Sequence, residues 1–476
     1  MLYIFYDLET TDINMIGQIL NYSFVAVDED YKEVNSFDGK IKISRTQLPQ
    51  PGAILANKVD VLEHQKEVTI SEPQAMKNLR DFFEDCIADY GHIKLIGFNS
   101  ARFDLNFIRT SMLRNGVSPY FPAKNISYGD VLHVAQYLSA TNKEFQNAIG
   151  MGNGSRPSLS LSNLCKVHNI LEEDEVQLHE SRADVDITIS LAKTFKTLYD
   201  TDIMNFKCYQ AKHYETNAHV VEKVFPDWEK DYHVDPESDL SGKCDNVCLL
   251  NSGNYSLWIN LDKYKELPEN YTEDELKSCV YWYNSQSSQF FVSNHTAFDD
   301  LDEDTKLLVS YALEDCAKYN LDNFFPERNC DLEQFIYMMP FSDKDALFQA
   351  IWLNDKTNIK KTEHKLAKKL YLRHILAHMN LNEQTYSLFK TYCLYRYGGK
   401  LKTNRFDTTS TFEDGVYNES FHSTYNEMLN ELREKKKTVN ASDKKLLESL
   451  ETFYLESPVT KIAGEDLVNI IRNKDD

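Results

Sequence analysis

The first strand that the sequence predicts ends in two acids, and this feature most constrains the fold. Leu2 to Tyr6 is an unbroken apolar run, which indicates a buried strand, and it leads directly into Asp7 and Glu9. Side chains two positions apart in a strand point to the same face, so both carboxylates would project toward one point. Clustered like charges are costly without a cation, and carboxylate oxygens are ligands that Mg²⁺ prefers. The chain is therefore expected to fold around a metal site at the end of this strand.

Two further motifs supply acids in a fixed order. One runs from Gly97 to Asp104, where a buried strand predicted at residues 93–98 gives way to a helix. In the other, His179 stands five positions before Asp184, near the start of a predicted helix. Each motif alone is weak evidence, because 74 of the 476 residues are Asp or Glu. The three motifs together, each in a fitting structural context, indicate one site with two divalent cations.

The order Asp-x-Glu, Asn-x-x-x-Phe-Asp and His-x-x-x-x-Asp resembles the DEDDh group of 3′→5′ exonucleases. The segment Leu48-Pro49-Gln50-Pro51-Gly52-Ala53 and the triplet Arg102-Phe103-Asp104 resemble bacterial exodeoxyribonuclease I in particular. The resemblance is strong over residues 1–198, faint over 200–345 and moderate over 335–405. It implies a metal-dependent enzyme that releases nucleoside 5′-monophosphates from the 3′ end of single-stranded DNA. The family also implies processive digestion and a role in DNA repair or recombination.

The resemblance also implies a role for each residue of the three motifs. Asp7, Glu9, Asp104 and Asp184 would bind two Mg²⁺ ions, with Mn²⁺ as the alternative metal. Asp7 would bridge both ions, and Asp184 would complete the coordination of one of them. His179 would be the general base, because a neutral imidazole can take a proton from water near neutral pH.

Candidate substrate contacts flank these motifs. The resemblance places the backbone or hydroxyl of Thr10 near the terminal 3′ hydroxyl of the strand. Asn99 and Phe103 lie close to Asp104 in sequence, although a core position is expected for Phe103. Arg109 and Tyr120 align with strand-contacting positions of the family.

One candidate contact departs from the family pattern. Where the family often has Pro-Ser-Phe-Arg-Leu, this chain has Pro157-Ser158-Leu159-Ser160-Leu161. Ser160 therefore replaces an arginine that is expected to hold a phosphate. This departure leaves two alternatives. Either the strand is bound more weakly, or Arg156 replaces the lost cation.

A basic segment stands out in a chain whose formal net charge is −22. Twelve Lys and Arg residues but only two acids lie between Lys356 and Arg405. Such a segment is a candidate phosphate-binding surface, and a solvated helix face is the alternative. Interleaved aromatic rings favour a single-strand path, since stacking platforms beside cations hold single strands. The candidate contacts are Arg396, Lys400, Lys402 and Arg405, and the rings are Tyr386, Phe389, Tyr392, Tyr395 and Tyr397.

The order of predicted elements indicates three domains. Strands alternating with helices predict an α/β exonuclease domain with a mixed sheet over residues 1–199, which the resemblance identifies as ribonuclease H-like. Residues 200–342 read as a β-rich middle domain, SH3-like by resemblance, with a hairpin formed by strands at 280–283 and 290–292. Residues 343–476 read as an all-helical domain that contributes to the single-strand groove. Its helices are predicted at 343–354, 362–378, 383–396, 419–436 and 442–455.

Composition narrows the class of protein. The apolar start lacks a basic leader and no later stretch reaches eighteen apolar residues, so neither a signal peptide nor a membrane span is expected. The nine cysteines lack paired spacing, which disfavours a zinc site and fits a reducing cytoplasm. A monomer is expected, because a three-domain chain around one groove needs no second copy. The resemblance adds the acidic tail of single-strand-binding protein as a partner.

Two alternative functions stay open. One is a DEDDh exoribonuclease that trims RNA 3′ ends, which the long chain beyond residue 199 disfavours. The other is a catalytically silent protein that binds single strands, which the retention of all five key residues disfavours.

Overall fold

The computed structural model describes most of the chain, and both cores of the first domain lie within the described part. The described residues are 1–101, 103–119, 124–149, 158–170, 180–206, 219–226, 241–251, 255–284, 291–318, 331–333, 365–398 and 423–462.

The first sheet has five strands in the order β3-β2-β1-β4-β5. Strand β1 is central, antiparallel to β2 and parallel to β4, so the predicted mixed sheet is confirmed. The edge strand β3 is mostly exposed. The strands are β1 (Leu2–Thr10), β2 (Ile19–Val27), β3 (Glu33–Lys40), β4 (Ile93–Gly97) and β5 (Ile126–Asp130).

Eight α-helices are described in residues 1–199. They are α1 (Pro51–Asn57), α2 (Val61–Glu67), α3 (Glu72–Tyr90), α4 (Asp104–Arg114), α5 (Val131–Thr141), α6 (Lys143–Ile149), α7 (Leu161–Val167) and α8 (Ser181–Tyr199). Those from α3 to α8 cover both faces of the sheet. Alternation along β1 assigns its side chains to two cores. Leu2 and Ile4 pack in the core shared with α3 and α4, whereas Tyr3 and Phe5 pack in the core shared with α5 to α8. The odd-numbered face of β1 therefore meets α8.

The middle part contains a second five-stranded sheet, in the order β10-β6-β7-β8-β9. Its strands are β6 (His219–Pro226), β7 (Ser241–Asn251), β8 (Tyr255–Asn260), β9 (Val280–Asn284) and β10 (Phe291–Ala297). Among the described residues of this part, three α-helices accompany the sheet, α9 (Leu261–Lys265), α10 (Glu273–Cys279) and α11 (Glu303–Lys318). The predicted hairpin is wrong: β9 pairs with β8 and β10 pairs with β6, so the two strands lie on opposite edges.

The C-terminal part is helical where it is described. Its helices are α12 (Lys365–His378), α13 (Glu383–Tyr397), α14 (Tyr425–Thr438) and α15 (Ala441–Glu456). Asn382 and Thr424 begin α13 and α14 with capping boxes, in which side chain and backbone satisfy each other's end groups. The helix predicted at 343–354 lies outside the described residues.

These C-terminal helices share one core with the first domain. Leu20, Ile43, Leu48, Ile54 and Val61 pack among side chains of α12 to α15. The connection between β3 and α3 thus forms the joint between the two parts. Among the described residues, no helix combines the length and the apolarity that a membrane crossing needs.

Candidate active site

Strand β1 and helix α8 bring three acids together. Carboxylate oxygens of Asp7, Glu9 and Asp184 lie within 4.8 Å of one another. Asp7 and Glu9 continue the face of β1 that packs against α8, and Asp184 lies in the first turn of that helix. Val185, the next residue of α8, is buried in the core beneath. The alternation read from the sequence is the reason that these oxygens converge.

The fourth acid lies beside this cluster. Asp104 is buried and opens α4, after the turn that follows β4. Burial is the largest cause of the raised pKa of both Asp7 and Glu9, and the charge of Asp104 adds to it, so these carboxylates are close enough to interact. Three of the five residues predicted to do the chemistry therefore meet within 4.8 Å, and Asp104 lies close to them. The fifth, His179, lies outside the described residues.

The electrostatics of the cluster favour a bound cation. Burial, followed by the neighbouring carboxylates, raises the pKa of Asp7 well above its usual range. Burial, then Asp184 and Asp104, raises the pKa of Glu9 to about 8. Burial also raises the pKa of Asp104 to about 8. Like charges in one buried place disfavour ionisation, and a divalent cation reverses that preference.

The donor set fits a hard divalent metal. The four side chains offer only carboxylate oxygens, the ligand type that suits Mg²⁺ and Mn²⁺. Asp7, Glu9 and Asp184 meet the reach needed to share an ion, and Asp104 adds a further carboxylate next to them. The site can hold a metal ion by the chemistry and spacing of its ligands.

The turn between β4 and α4 is tightly built. A Cβ on Gly97 would lie 2.4 Å from Cβ of Ser100, so only glycine fits there. Asn99 has a φ of 59°, in the left-handed region that asparagine tolerates better than most residues. The backbone N–H of Leu105 donates to the carbonyl of Ser100 at 2.9 Å. This turn fixes where Asp104 enters the site.

The residues predicted beside the acids have varied surroundings. The Thr10 hydroxyl donates to the Asp12 carbonyl at 2.7 Å, and Asn99 is exposed. Phe103 is partly buried and packs 4.8 Å from the ring of Phe107, the core position expected for it. The guanidinium of Arg109 lies over the Tyr128 ring at 5.5 Å.

Ser160 has a structural task that an arginine would not perform. It is the N-cap of α7, and its hydroxyl accepts a hydrogen bond from the backbone N–H of Asn163 at 3.3 Å. A short hydroxyl side chain is among the residues that satisfy helix starts best. Tyr120, Arg156, Lys400, Lys402 and Arg405 lie outside the described residues.

The prediction that Arg396 contacts the strand is wrong. Its side chain is 4% exposed and donates to the Ile16 carbonyl at 3.1 Å and to Oε1 of Gln47 at 3.0 Å. It therefore joins α13 to the loop that follows β1. The rings interleaved with the basic residues also point inward, since only Tyr386 of the five is exposed and the other four are core, Phe389, Tyr392, Tyr395 and Tyr397.

A buried ionic network that the sequence analysis missed supports the same loop. Arg114 is 7% exposed and bridges Glu72 at 2.6 Å and Glu333 at 2.8 Å. It also donates to the carbonyls of Ile16 at 3.0 Å and Gly17 at 2.6 Å. Arg373 of α12 extends the network to Glu333 at 3.2 Å. The partners lie far apart in sequence, so no local pattern points to them.

Comparisons with known proteins agree with this geometry. No protein-family model matches the chain. Exodeoxyribonuclease I of Haemophilus influenzae is 27% identical over 195 residues, which are 40% of this chain and 39% of that relative. Escherichia coli exonuclease I in complex with a dA16 oligonucleotide has a TM-score of 0.67 at 16% identity, over 96% of this chain and 99% of that one. The zinc-bound form of the E. coli enzyme with single-stranded DNA has a TM-score of 0.64 at 16% identity, over 96% and 99% of the two chains. The chain therefore has the fold of exonuclease I.

Proposed function

We propose that the protein is a metal-dependent 3′→5′ exonuclease that hydrolyses single-stranded DNA to nucleoside 5′-monophosphates. The observation that carries the proposal is the meeting of Asp7, Glu9 and Asp184 within 4.8 Å, with Asp104 beside them. The partial sequence match to an exodeoxyribonuclease I and the fold shared with an oligonucleotide complex support the choice of chemistry and substrate.

Each acid has a part in the proposed mechanism. Asp7, Glu9, Asp104 and Asp184 would hold two divalent cations, Mg²⁺ or Mn²⁺. When bound, such a pair stabilises the charge on the attacking and leaving oxygens of an in-line displacement. His179 would accept the proton of the attacking water at a ring nitrogen, as a neutral imidazole can near pH 7. The zinc-bound relative supports a divalent metal without fixing which one serves here.

The proposed strand path leads from this site toward the C-terminal part. Thr10, Asn99, Arg109 and Tyr120 are the proposed contacts near the 3′ end, and Lys400, Lys402 and Arg405 the proposed phosphate contacts farther along. Arg396 is left out because its guanidinium is committed to Ile16 and Gln47. We propose the domain divisions 1–199, 200–342 and 343–476, and processive digestion by a monomer whose groove all three parts border.

The proposed setting is DNA repair or recombination in the cytoplasm. Six cysteines of the described residues are buried and free, with no disulfide among these six, which is compatible with a reducing compartment. The acidic tail of single-strand-binding protein stays a proposed partner.

A nuclease assay tests the function. Single-stranded DNA, duplex DNA and RNA oligomers with 5′ labels would be incubated with Mg²⁺, with Mn²⁺ and with a chelator. We expect stepwise shortening of single-stranded DNA from its 3′ end and no shortening with chelator. Faster shortening of RNA would move the substrate to RNA, and no release with either metal would refute the enzyme.

Matched variants on one helix test the site. Asp184→Asn should abolish nucleotide release while strand binding is retained, because it removes a proposed metal ligand. Asp186→Asn makes the same change two residues later, where the carboxylate pairs with Arg182 at 3.1 Å, and should keep release near wild type. Equal activity of the two variants would contradict the assignment of Asp184.

A further inference from the structure

Asp130, at the end of β5, is a buried acid that the proposed mechanism does not use. We infer that Asp130 is a positioning residue, which holds the turn between β4 and α4 so that Asp104 is presented to the metal site. The inference rests on the proposed function and assigns the acid a task in it. Asp130 is 3% exposed, and its carboxylate lies outside the group formed by Asp7, Glu9 and Asp184.

Both oxygens of Asp130 are bound by backbone groups. Oδ1 accepts from the N–H of Asn99 at 2.8 Å, and Oδ2 accepts from the N–H of Ala101 at 3.0 Å. Oδ1 also accepts from the N–H of Leu132 at 3.0 Å, which makes Asp130 the N-cap of α5. One carboxylate thus ties the turn that precedes Asp104 to the start of a neighbouring helix.

The turn needs such an anchor. Asn99 has a left-handed backbone, a conformation that other contacts must maintain. A Cβ on Gly97 would lie 3.0 Å from the Tyr6 carbonyl, so the turn also presses against β1, which carries two of the metal ligands. Asp104 follows Ala101 by three residues, so a fixed turn limits where its carboxylate can lie. A shift of the turn would move its carboxylate relative to β1.

The bonding pattern separates two tasks of Asp130. Serine is a good N-cap, so Asp130→Ser keeps an acceptor for Leu132, but its side chain is too short to reach Asn99 and Ala101 as well. Asp130→Asn keeps the shape but turns one acceptor into a donor, which would face the N–H of Ala101. If positioning is the task, both variants impair the metal site although α5 remains capped in the first.

The main experiment measures Mn²⁺ binding by calorimetry, together with kcat and KM for a single-stranded oligonucleotide. Supporting partners of metal ligands usually contribute about 10–100-fold to affinity or activity. We expect Asp130→Ser to weaken Mn²⁺ binding and lower kcat by about 10-fold or more on that scale, with KM for the oligonucleotide within about 2-fold of wild type. Asp60→Ser, the same change at the N-cap of α2, should leave all three quantities near wild type.

A double-variant cycle shows whether Asp130 acts through Asp104. In that case Asp130→Ser added to Asp104→Asn should cause no further loss of Mn²⁺ affinity, whereas independent effects would add. Additive losses, or Mn²⁺ affinity of Asp130→Ser and Asp130→Asn equal to wild type, would overturn the inference.

Two further readings keep the test decisive. Amide hydrogen exchange on the wild-type protein needs no variant, and the amides of Asn99 and Ala101 should be protected. Exchange as fast as in exposed turns would also overturn the inference. If wild type bound Mn²⁺ but released no nucleotide, the proposed function would fail. The comparison of Mn²⁺ affinity between wild type and the Asp130 variants would still test the inference about Asp130.

Discussion

Replacing Arg114 with methionine should destabilise the protein far more than an ordinary loss of an ion pair. Methionine keeps the apolar stem but removes the charge between Glu72 and Glu333, both 2% exposed, and the donors to Ile16 and Gly17. Breaking a buried pair by removing one partner typically costs about 3–5 kcal/mol, because the remaining charge stays buried. The variant would strand the carboxylate of Glu72 and remove a donor from the Gly17 carbonyl. Glu333 keeps Arg373 at 3.2 Å and the Ile16 carbonyl keeps Arg396 at 3.1 Å, so the expected cost lies within that range.

His378 does not replace the charge that is lost beside Glu72. Nε2 of His378 lies 3.8 Å from Glu72, but burial, with contributions from His374, Arg114 and Arg45, lowers the pKa of His378 to about 3. The imidazole is therefore neutral at pH 7. Adding Glu72→Gln to the Arg114→Met variant should recover part of the lost stability, because it removes the stranded charge of Glu72.

Arg182 provides the matched control for urea unfolding at pH 7. It also contacts three carboxylates, Glu33 at 2.6 Å, Asp186 at 3.1 Å and Asp38 at 3.6 Å, but its side chain is 35% exposed. Exposed pairs contribute about 1 kcal/mol or less, so Arg182→Met should be mild. If the two methionine variants lost the same free energy of unfolding, or if Glu72→Gln recovered nothing, burial would not be the source of the cost.

Three other outcomes follow from the site and its surroundings. In chelator, the thermal stability measured in a melt should fall as pH rises from about 5 to about 8. The pKa values of Glu9 and Asp104 are raised to about 8 in the folded protein, so over this range the folded state holds protons that the unfolded state has released. Saturating Mg²⁺ should flatten this profile. Gly97→Ala should cost about 1–3 kcal/mol in urea unfolding, since its Cβ would overlap Ser100, and an unchanged midpoint would contradict the crowding. Ser160→Arg should lower the stability of α7 by about 1 kcal/mol through the lost cap. It should also tighten the binding of single-stranded DNA and steepen the salt dependence of that binding by about one ion. A salt dependence equal to that of wild type would remove Ser160 from the strand path.

The acids of the site were predictable because their geometry is local. A period of two places Asp7 and Glu9 on one face of a strand, and the position of Asp184 at a helix start is set by the motif around it. Three short patterns were enough to identify residues that meet in space. Asp130 was not predicted, although an acid between a short strand and an apolar helix is typical of an N-cap.

Errors arose where tertiary packing decides. An aromatic residue at every third position from Tyr386 to Tyr395 in α13 is compatible with a helix face, and the sequence does not say whether that face meets DNA or a core. The structure buries Tyr392 and Tyr395 against the first domain, and Arg396 goes with them. In the same way, the strands at 280–283 and 290–292 are neighbours in sequence, but their pairing partners lie earlier in the chain.

The segment from Leu48 to Ala53, which resembles exodeoxyribonuclease I, lies where the first domain packs against the C-terminal helices. The backbone N–H of Leu48 donates to the Tyr397 hydroxyl at 3.0 Å, and the Tyr454 hydroxyl donates to the Pro49 carbonyl. The N–H of Gln50 donates to the Thr11 carbonyl at 2.7 Å, directly beyond the strand that carries Asp7 and Glu9. The C-terminal helices therefore contact the end of strand β1 through this segment as well as through Arg396. A pattern beside the candidate active site is thus explained by domain packing, and the helical part helps to fix the position of Asp7 and Glu9.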